Sequence, residues 1–161
     1  MPEMTMLGWF HTVLGVVAVS SGFYTIYKYR VISVEEGSGR LYVYVTLLVA
    51  GSALGIYNQG GFGIAHILAV LTLIALAGGL IMEKIKLFGS FSKYFQALSY
   101  TSTLLFHMIP AITDFLRRLP VGGPFIDSFE DPLLVKFYLA FLLIFVVGII
   151  AQIFWLKKQE N

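Results

Sequence analysis

Five apolar stretches, roughly residues 7–29, 40–58, 62–83, 94–116 and 132–156, take up most of this 161-residue chain. A helix needs about 20 mostly apolar residues to cross a hydrocarbon core, and each stretch has close to that length. No other feature constrains the fold as much. In hydrocarbon, backbone N–H and C=O groups must be satisfied within helices or closed barrels, so long apolar runs without strand alternation dictate helices. The chain is 58% hydrophobic and 12% charged, against about 25% charged for a typical soluble domain. The expectation is an all-α polytopic integral membrane bundle of five transmembrane helices. It forms one transmembrane helical domain over residues 1–161, multi-pass in the cell (plasma) membrane with the lipid bilayer as its main partner.

The first stretch reads as a retained helix and not as a signal peptide. Its flank, Met1 to Met6, has no Lys or Arg and carries Glu3, whereas signal peptides begin basic. Basic residues also set the expected orientation. Eight of the eleven Lys and Arg fall in the Lys28–Arg40 loop, the loop with Lys84, Lys86 and Lys93, or the Lys157–Lys158 tail. By the positive-inside rule these face the cytoplasm and the amino terminus lies outside. The turn Asn58-Gln59-Gly60-Gly61 and the loop 119–131 then belong to the outer side.

The fourth stretch departs from plain apolarity. Gln96, Ser99, Thr103, His107 and Asp114 recur at spacings of three, four, four and seven, which places them on one helical face. Polar groups in membrane helices turn inward and mark functional sites, so this stripe is the first candidate site. The three histidines form the second. His11, His66 and His107 each lie inside a different expected helix. At 1.5 Å per residue, His11 and His66 sit roughly 6 Å below the outer boundary and His107 roughly 9–14 Å below it.

If their helices are neighbours, two of these imidazoles supply the axial ligands of a haem b. Alternatively three hold one zinc or copper ion, with Asp114 as a further ligand. The competing reading is that each histidine makes an interhelical hydrogen bond and that no cofactor is bound. Asp114 has its own alternative, a surface pair with Arg117 or Arg118. Small residues, including Gly8, Gly15 and Gly22 on the first helix and the Gly51-xxx-Gly55 pair on the second, read as close helix-packing positions. Tyr42, Tyr44, Tyr94, Tyr100, Trp9 and Trp155 read as interfacial anchors.

Several classes are excluded. The absence of cysteine removes disulfides, Cys-ligated zinc, iron–sulfur clusters and thiol catalysis. A net charge of +2, with basic residues spread over segment ends, gives no nucleic-acid surface. No nucleophile–base pair, phosphate loop or HExxH motif is present.

The pattern His11-x3-Gly15-x6-Gly22, Gly39-Arg40-Leu41-Tyr42, Gly63 with His66, and Ser99-Tyr100 with His107 and Arg117-Arg118 resembles a family of small bacterial membrane proteins of unknown function. The resemblance spans most of residues 8 to 118. It implies a compact multi-helix membrane domain with intramembrane histidines, here His11, His66 and His107, and it supplies no reaction.

Three functional expectations follow. The first is electron transfer through haem b or a zinc or copper ion, with quinone as a candidate partner. The second is a non-catalytic accessory or scaffold subunit in a larger complex or homo-oligomer. The third is a small transporter or proton-conducting protein that uses the stripe.

Overall fold

The computed structural model describes residues 5–57 and 61–160. The turn residues Asn58, Gln59 and Gly60, and Glu3 of the amino-terminal flank, lie outside the described residues. Among the described residues the chain forms five α-helices: α1 Met6–Tyr29, α2 Gly37–Ala53, α3 Ile64–Lys84, α4 Ser92–Arg118 and α5 Pro132–Lys158. A 3-10 turn at Gly89–Phe91 leads into α4, and no strand is present among these residues.

Four helices begin and end within two residues of the stretches read from sequence. The exception is α2, which starts earlier and stops earlier. Its start is set by Arg40 N–H bonding to the carbonyl of Glu36 at 2.8 Å, and its end by turns from Ser52 to Gly55 and Ala53 to Ile56.

Local signals account for other boundaries. Thr5 Oγ1 accepts the N–H of Gly8 and caps α1, satisfying one of the orphan donors of a first turn. Arg30 ends α1 in the left-handed region at φ 70, with its N–H returned to the Ile26 carbonyl. Asp131 accepts the N–H of Leu133 at 2.8 Å and Pro132 opens α5, where its missing N–H costs nothing. Lys157 and Lys158 close α5, favourably placed against the helix dipole.

Three helices, α1, α3 and α5, are long and apolar enough to cross a membrane. α2 has 17 residues, about 26 Å of helix. α4 has the length, but its polar residues lower its apolarity.

The helices pack in sequence. α1 lies against α2 and α3 against α4 over their lengths, α2 meets α3, and α4 touches α1, closing a four-helix ring. α5 packs outside the ring on α4 alone among the element pairs with substantial contact. Leu139, Leu142, Leu143, Ile144 and Val147 of α5 are exposed, as a lipid-facing surface would be. The ring encloses a core of Ala18, Ile32, Tyr42, Val43, Val45, Val49, Leu76, Tyr100 and Leu104. A smaller cluster of Leu116, Ile126 and Leu134 ties the loop 119–131 to α4 and α5.

Two sequence expectations are corrected by this packing. Tyr42 and Tyr100 are fully buried, so they are core residues and not interfacial anchors. The Gly51-xxx-Gly55 pair is not a close approach: a Cβ at Gly51 meets nothing within 4 Å, and one at Gly55 only just reaches Leu7. Gly15 is likewise open, whereas Gly22 does approach closely, against Leu104 and Tyr42, as do Gly39 against the backbone of Ser33 and Gly79 against the Tyr100 ring.

At the end carrying most of the basic residues, polar side chains clamp the α1–α2 turn. Glu83 Oε1 accepts from Ser33 Oγ and from Val34 N–H at 2.9 Å, and its Oε2 accepts from Tyr100 Oη at 2.9 Å. Gln96 donates to the Ile32 carbonyl at 3.0 Å. Gln152 donates to the Arg30 carbonyl at 2.9 Å and accepts from Thr101. One turn is thus held by α3, α4 and α5 together, and its backbone groups are satisfied in place of water. Nearby, Lys93 pairs with Glu160 at 2.8 Å. The Lys93 ammonium, with the Tyr94 hydroxyl, holds the Glu160 carboxyl below its usual range.

Candidate functional site

The site residues are best followed along α2, because that helix carries a polar stripe of its own. Ser38, Tyr42, Thr46, Val49 and Ser52 succeed one another at spacings of four, four, three and three and so share a face. Each meets a polar group from α1 or α4. Thr25 Oγ1 bonds Ser38 Oγ at 2.8 Å. Thr103 gives its hydroxyl hydrogen to the Tyr100 carbonyl, so in its bond with Tyr42 the phenol is the donor. Thr46 Oγ1 lies 3.2 Å from His107 Nε2. His11 Nδ1 lies 3.1 Å from both the Val49 carbonyl and Ser52 Oγ.

From Ser38 to Ser52 this seam extends about 21 Å along the helix. Thr25, Thr46 and Thr103 are fully buried within it. Buried hydroxyls and imidazoles are tolerated only when hydrogen-bonded, and here α2 supplies the partners.

The chemistry of each histidine follows from its partner. A carbonyl only accepts, so His11 donates from Nδ1 to Val49. Neutral His11 therefore keeps a bare lone pair on Nε2, able to take a proton or a metal. His66 is the opposite case. Its Nδ1 accepts the Gly63 N–H at 3.1 Å, which puts the hydrogen of the neutral ring on Nε2. That nitrogen is buried with no hydrogen-bond partner among the described residues. Its ring lies between Tyr57 and Phe62, with centroids 4.7 and 5.1 Å away. His107 is buried at 9% exposure, and the Tyr42 ring stands edge-on to it at 6.4 Å.

The structure brings His11 and His107 to the same face of α2, at positions one to two turns apart. None of the hydrogen bonds or ring contacts of His66 reaches α1 or α4 among the described residues. No group of three or more His, Asp or Glu is placed to hold a metal ion among those residues. Among the described residues no hydrogen bond or ring contact links His66 to His11 or His107, and Nε2 is the nitrogen of the neutral His66 ring left to donate.

The helix-four stripe faces the bundle but is shared among several partners. Gln96 serves the α1–α2 clamp, Ser99 lies beside Gly78 of α3, and Thr103 and His107 belong to the seam. Asp114 points outward with its side chain 57% exposed, and sits 3.7 Å from Arg118 Nε.

Sequence reading missed Tyr42, Thr46, Ser52, Glu83 and Gln152. The signal was there for some of them. Gln152 is the one amide in the apolar run of α5, and Ser38, Tyr42 and Thr46 recur at a spacing of four. No family model, curated protein or solved structure matches the chain.

Proposed function

We propose that this chain is a five-span membrane protein, amino terminus outside, whose seam between α1, α2 and α4 relays protons. The observation that carries the reading is the α2 stripe, which bonds a protonatable or hydroxyl group at every turn from Thr25–Ser38 to His11–Ser52. Hydroxyls both give and accept a hydrogen, and a neutral imidazole with a bare nitrogen accepts one. These pairs follow one another about one turn apart along α2, and a proton would pass between them by rotation of the hydroxyls from one partner to the next. Membership of the family of small bacterial membrane proteins with intramembrane histidines is part of the same proposal.

Two-histidine haem ligation, with electron transfer to quinone, is the second reading. It rests on the bare Nε2 of His11 and on His107 sharing the α2 face. It ranks lower because buried Tyr42, Thr46, Thr103 and Leu104 fill the surroundings of His107, where a macrocycle would have to lie.

Purified protein in vesicles loaded with a pH-sensitive dye tests the relay. Proton flux driven by a potassium diffusion potential is expected to exceed that of empty vesicles. His107→Ala should lower it on the order of a hundredfold, the usual scale for losing a positioned acid–base group. Flux equal to empty vesicles, or untouched by His107→Ala and Tyr42→Phe together, rejects the relay. A Soret band lost on replacing His11 or His107 would favour haem instead.

Orientation has its own test. The chain has no native cysteine, so Ser128→Cys reports the side of the loop 119–131. Among the described residues the Ser128 hydroxyl makes only a turn bond, accepting the Glu130 N–H. An impermeant maleimide is expected to label it in right-side-out membranes; labelling only in inverted membranes would reverse the topology.

A further inference from the structure

At the end of the bundle away from the Glu83 clamp, the loop after α4 folds back over the helix terminus. Phe125 N–H bonds the Leu119 carbonyl and Ile126 N–H bonds the Leu116 carbonyl. Between loop and helix lies an open cavity of about 520 Å³ lined by Arg117, Arg118, Gly122, Pro124, Ile126 and Asp127.

The two guanidinium groups there keep donors free for a ligand, although Arg118 is already in a long ion pair with Asp114. Arg117 Cζ lies 3.8 Å from the centre of the Phe129 ring, a cation–π contact that uses none of its N–H donors. Arg117 has no hydrogen bond or ion pair among the described residues. Arg118 Nε is buried with no hydrogen-bond partner among them. Its nearest carboxylate, Asp114, stands at 3.7 Å and is largely exposed. The carbonyl end of α4 disfavours an anion, so any anion here depends on the two arginines.

Asp127 lines the same cavity, so the site presents two cationic forks and one carboxylate. Around it the loop exposes Leu119, Val121, Phe125 and Phe129. Those side chains suit the acyl boundary of a membrane better than water. A ligand that complements this set has a phosphate for the arginines, an ammonium for the carboxylate and an apolar body alongside.

We infer that this cavity seats the headgroup of a phosphoethanolamine lipid, with its phosphate on Arg117 and Arg118 and its ammonium on Asp127. Arg–phosphate pairs are bidentate and charge-assisted. A plain anionic lipid satisfies the arginines but leaves Asp127 facing like charge, and a choline headgroup offers Asp127 no N–H.

The test is native mass spectrometry of the full chain released from nanodiscs of phosphatidylcholine doped with phosphatidylethanolamine or phosphatidylglycerol. Phosphatidylethanolamine adducts are expected to survive about tenfold more often than the other two, the scale of one charge-assisted hydrogen bond. R117Q/R118Q should bring them down to the phosphatidylcholine level. Asp127→Asn, in the exposed loop, should erase the preference over phosphatidylglycerol while leaving phosphate binding in place. Should the double variant misfold by circular dichroism, Arg117→Lys, which keeps the charge and loses the fork, is expected to weaken retention in the same direction.

Equal retention of the three lipids, or retention indifferent to these substitutions, overturns the inference. Free phosphoethanolamine displacing the lipid adduct at equal concentration would keep the chemistry and overturn the lipid as its source.

Discussion

Glu83→Ala is expected to destabilise the bundle by about 3 kcal/mol, from the loss of hydrogen bonds to a carboxylate at roughly 1.5–3 kcal/mol each, discounted for overlap. The carboxylate joins three parts of the chain that have no covalent reason to meet: the turn at Ser33 and Val34, α3, and Tyr100 of α4. Removing it leaves the Val34 N–H and the buried Tyr100 hydroxyl without acceptors, and an unmade bond in a dry setting costs more than a made one gains. Glu83→Gln keeps one acceptor oxygen and should fall between wild type and Ala. Gln152→Ala removes two bonds to neutral partners and should cost about 1–2 kcal/mol. Denaturant titration in detergent, followed by far-ultraviolet circular dichroism, measures all three. A Glu83→Ala midpoint equal to wild type would show that the clamp is incidental.

The helices are legible in the sequence because long apolar runs without strand alternation leave a chain few options. The ends of α1, α3, α4 and α5 could be read to within two residues for that reason. The start of α2 was not, since Gly37-Ser38-Gly39 reads as a turn by propensity. Tertiary partners overrule it: Ser38 is bonded to Thr25, and Gly39 lies where only a residue without Cβ can approach Ser33.

The inward face of α4 was legible through its period, whereas the matching stripe on α2 was masked. Tyrosine near a helix end has two uses, as an interfacial anchor and as a buried donor, and Tyr42 takes the second. Counting residues from a helix end gives a histidine's height along the helix and not the direction its ring faces. His66 turns its Nδ1 to its own helix start, a local bond that its place in the apolar run does not announce. Asp114, on the stripe face by count, lies far enough along α4 to reach the surface and Arg118.

Glycine substitutions separate the real close approaches from the apparent ones, and Gly39→Ala should carry the largest effect among them. A Cβ there would stand 2.1 Å from the carbonyl oxygen of Ser33, 3.0 Å from its carbonyl carbon and 3.1 Å from its nitrogen. No side chain can swing aside to relieve that contact. The turn itself must move, and with it the groups that Glu83 and Gln96 hold. Overpacking costs about 1–3 kcal/mol, and a rigid backbone obstacle places Gly39→Ala at the upper end. Gly79→Ala meets the Tyr100 ring at 2.4 Å. That ring is buried and its hydroxyl is anchored on Glu83, so it yields little, and a loss of about 2 kcal/mol is expected.

Gly51→Ala reverses the sign. Nothing lies within 4 Å of its Cβ, so the gain in helix propensity, about 0.8–1.0 kcal/mol, goes unopposed and the variant should be slightly more stable than wild type. The same denaturation series ranks the three. If Gly51→Ala proved as damaging as Gly39→Ala, the α2 surface at Gly51 would have to be covered by another protein chain, which would bring the accessory-subunit reading forward.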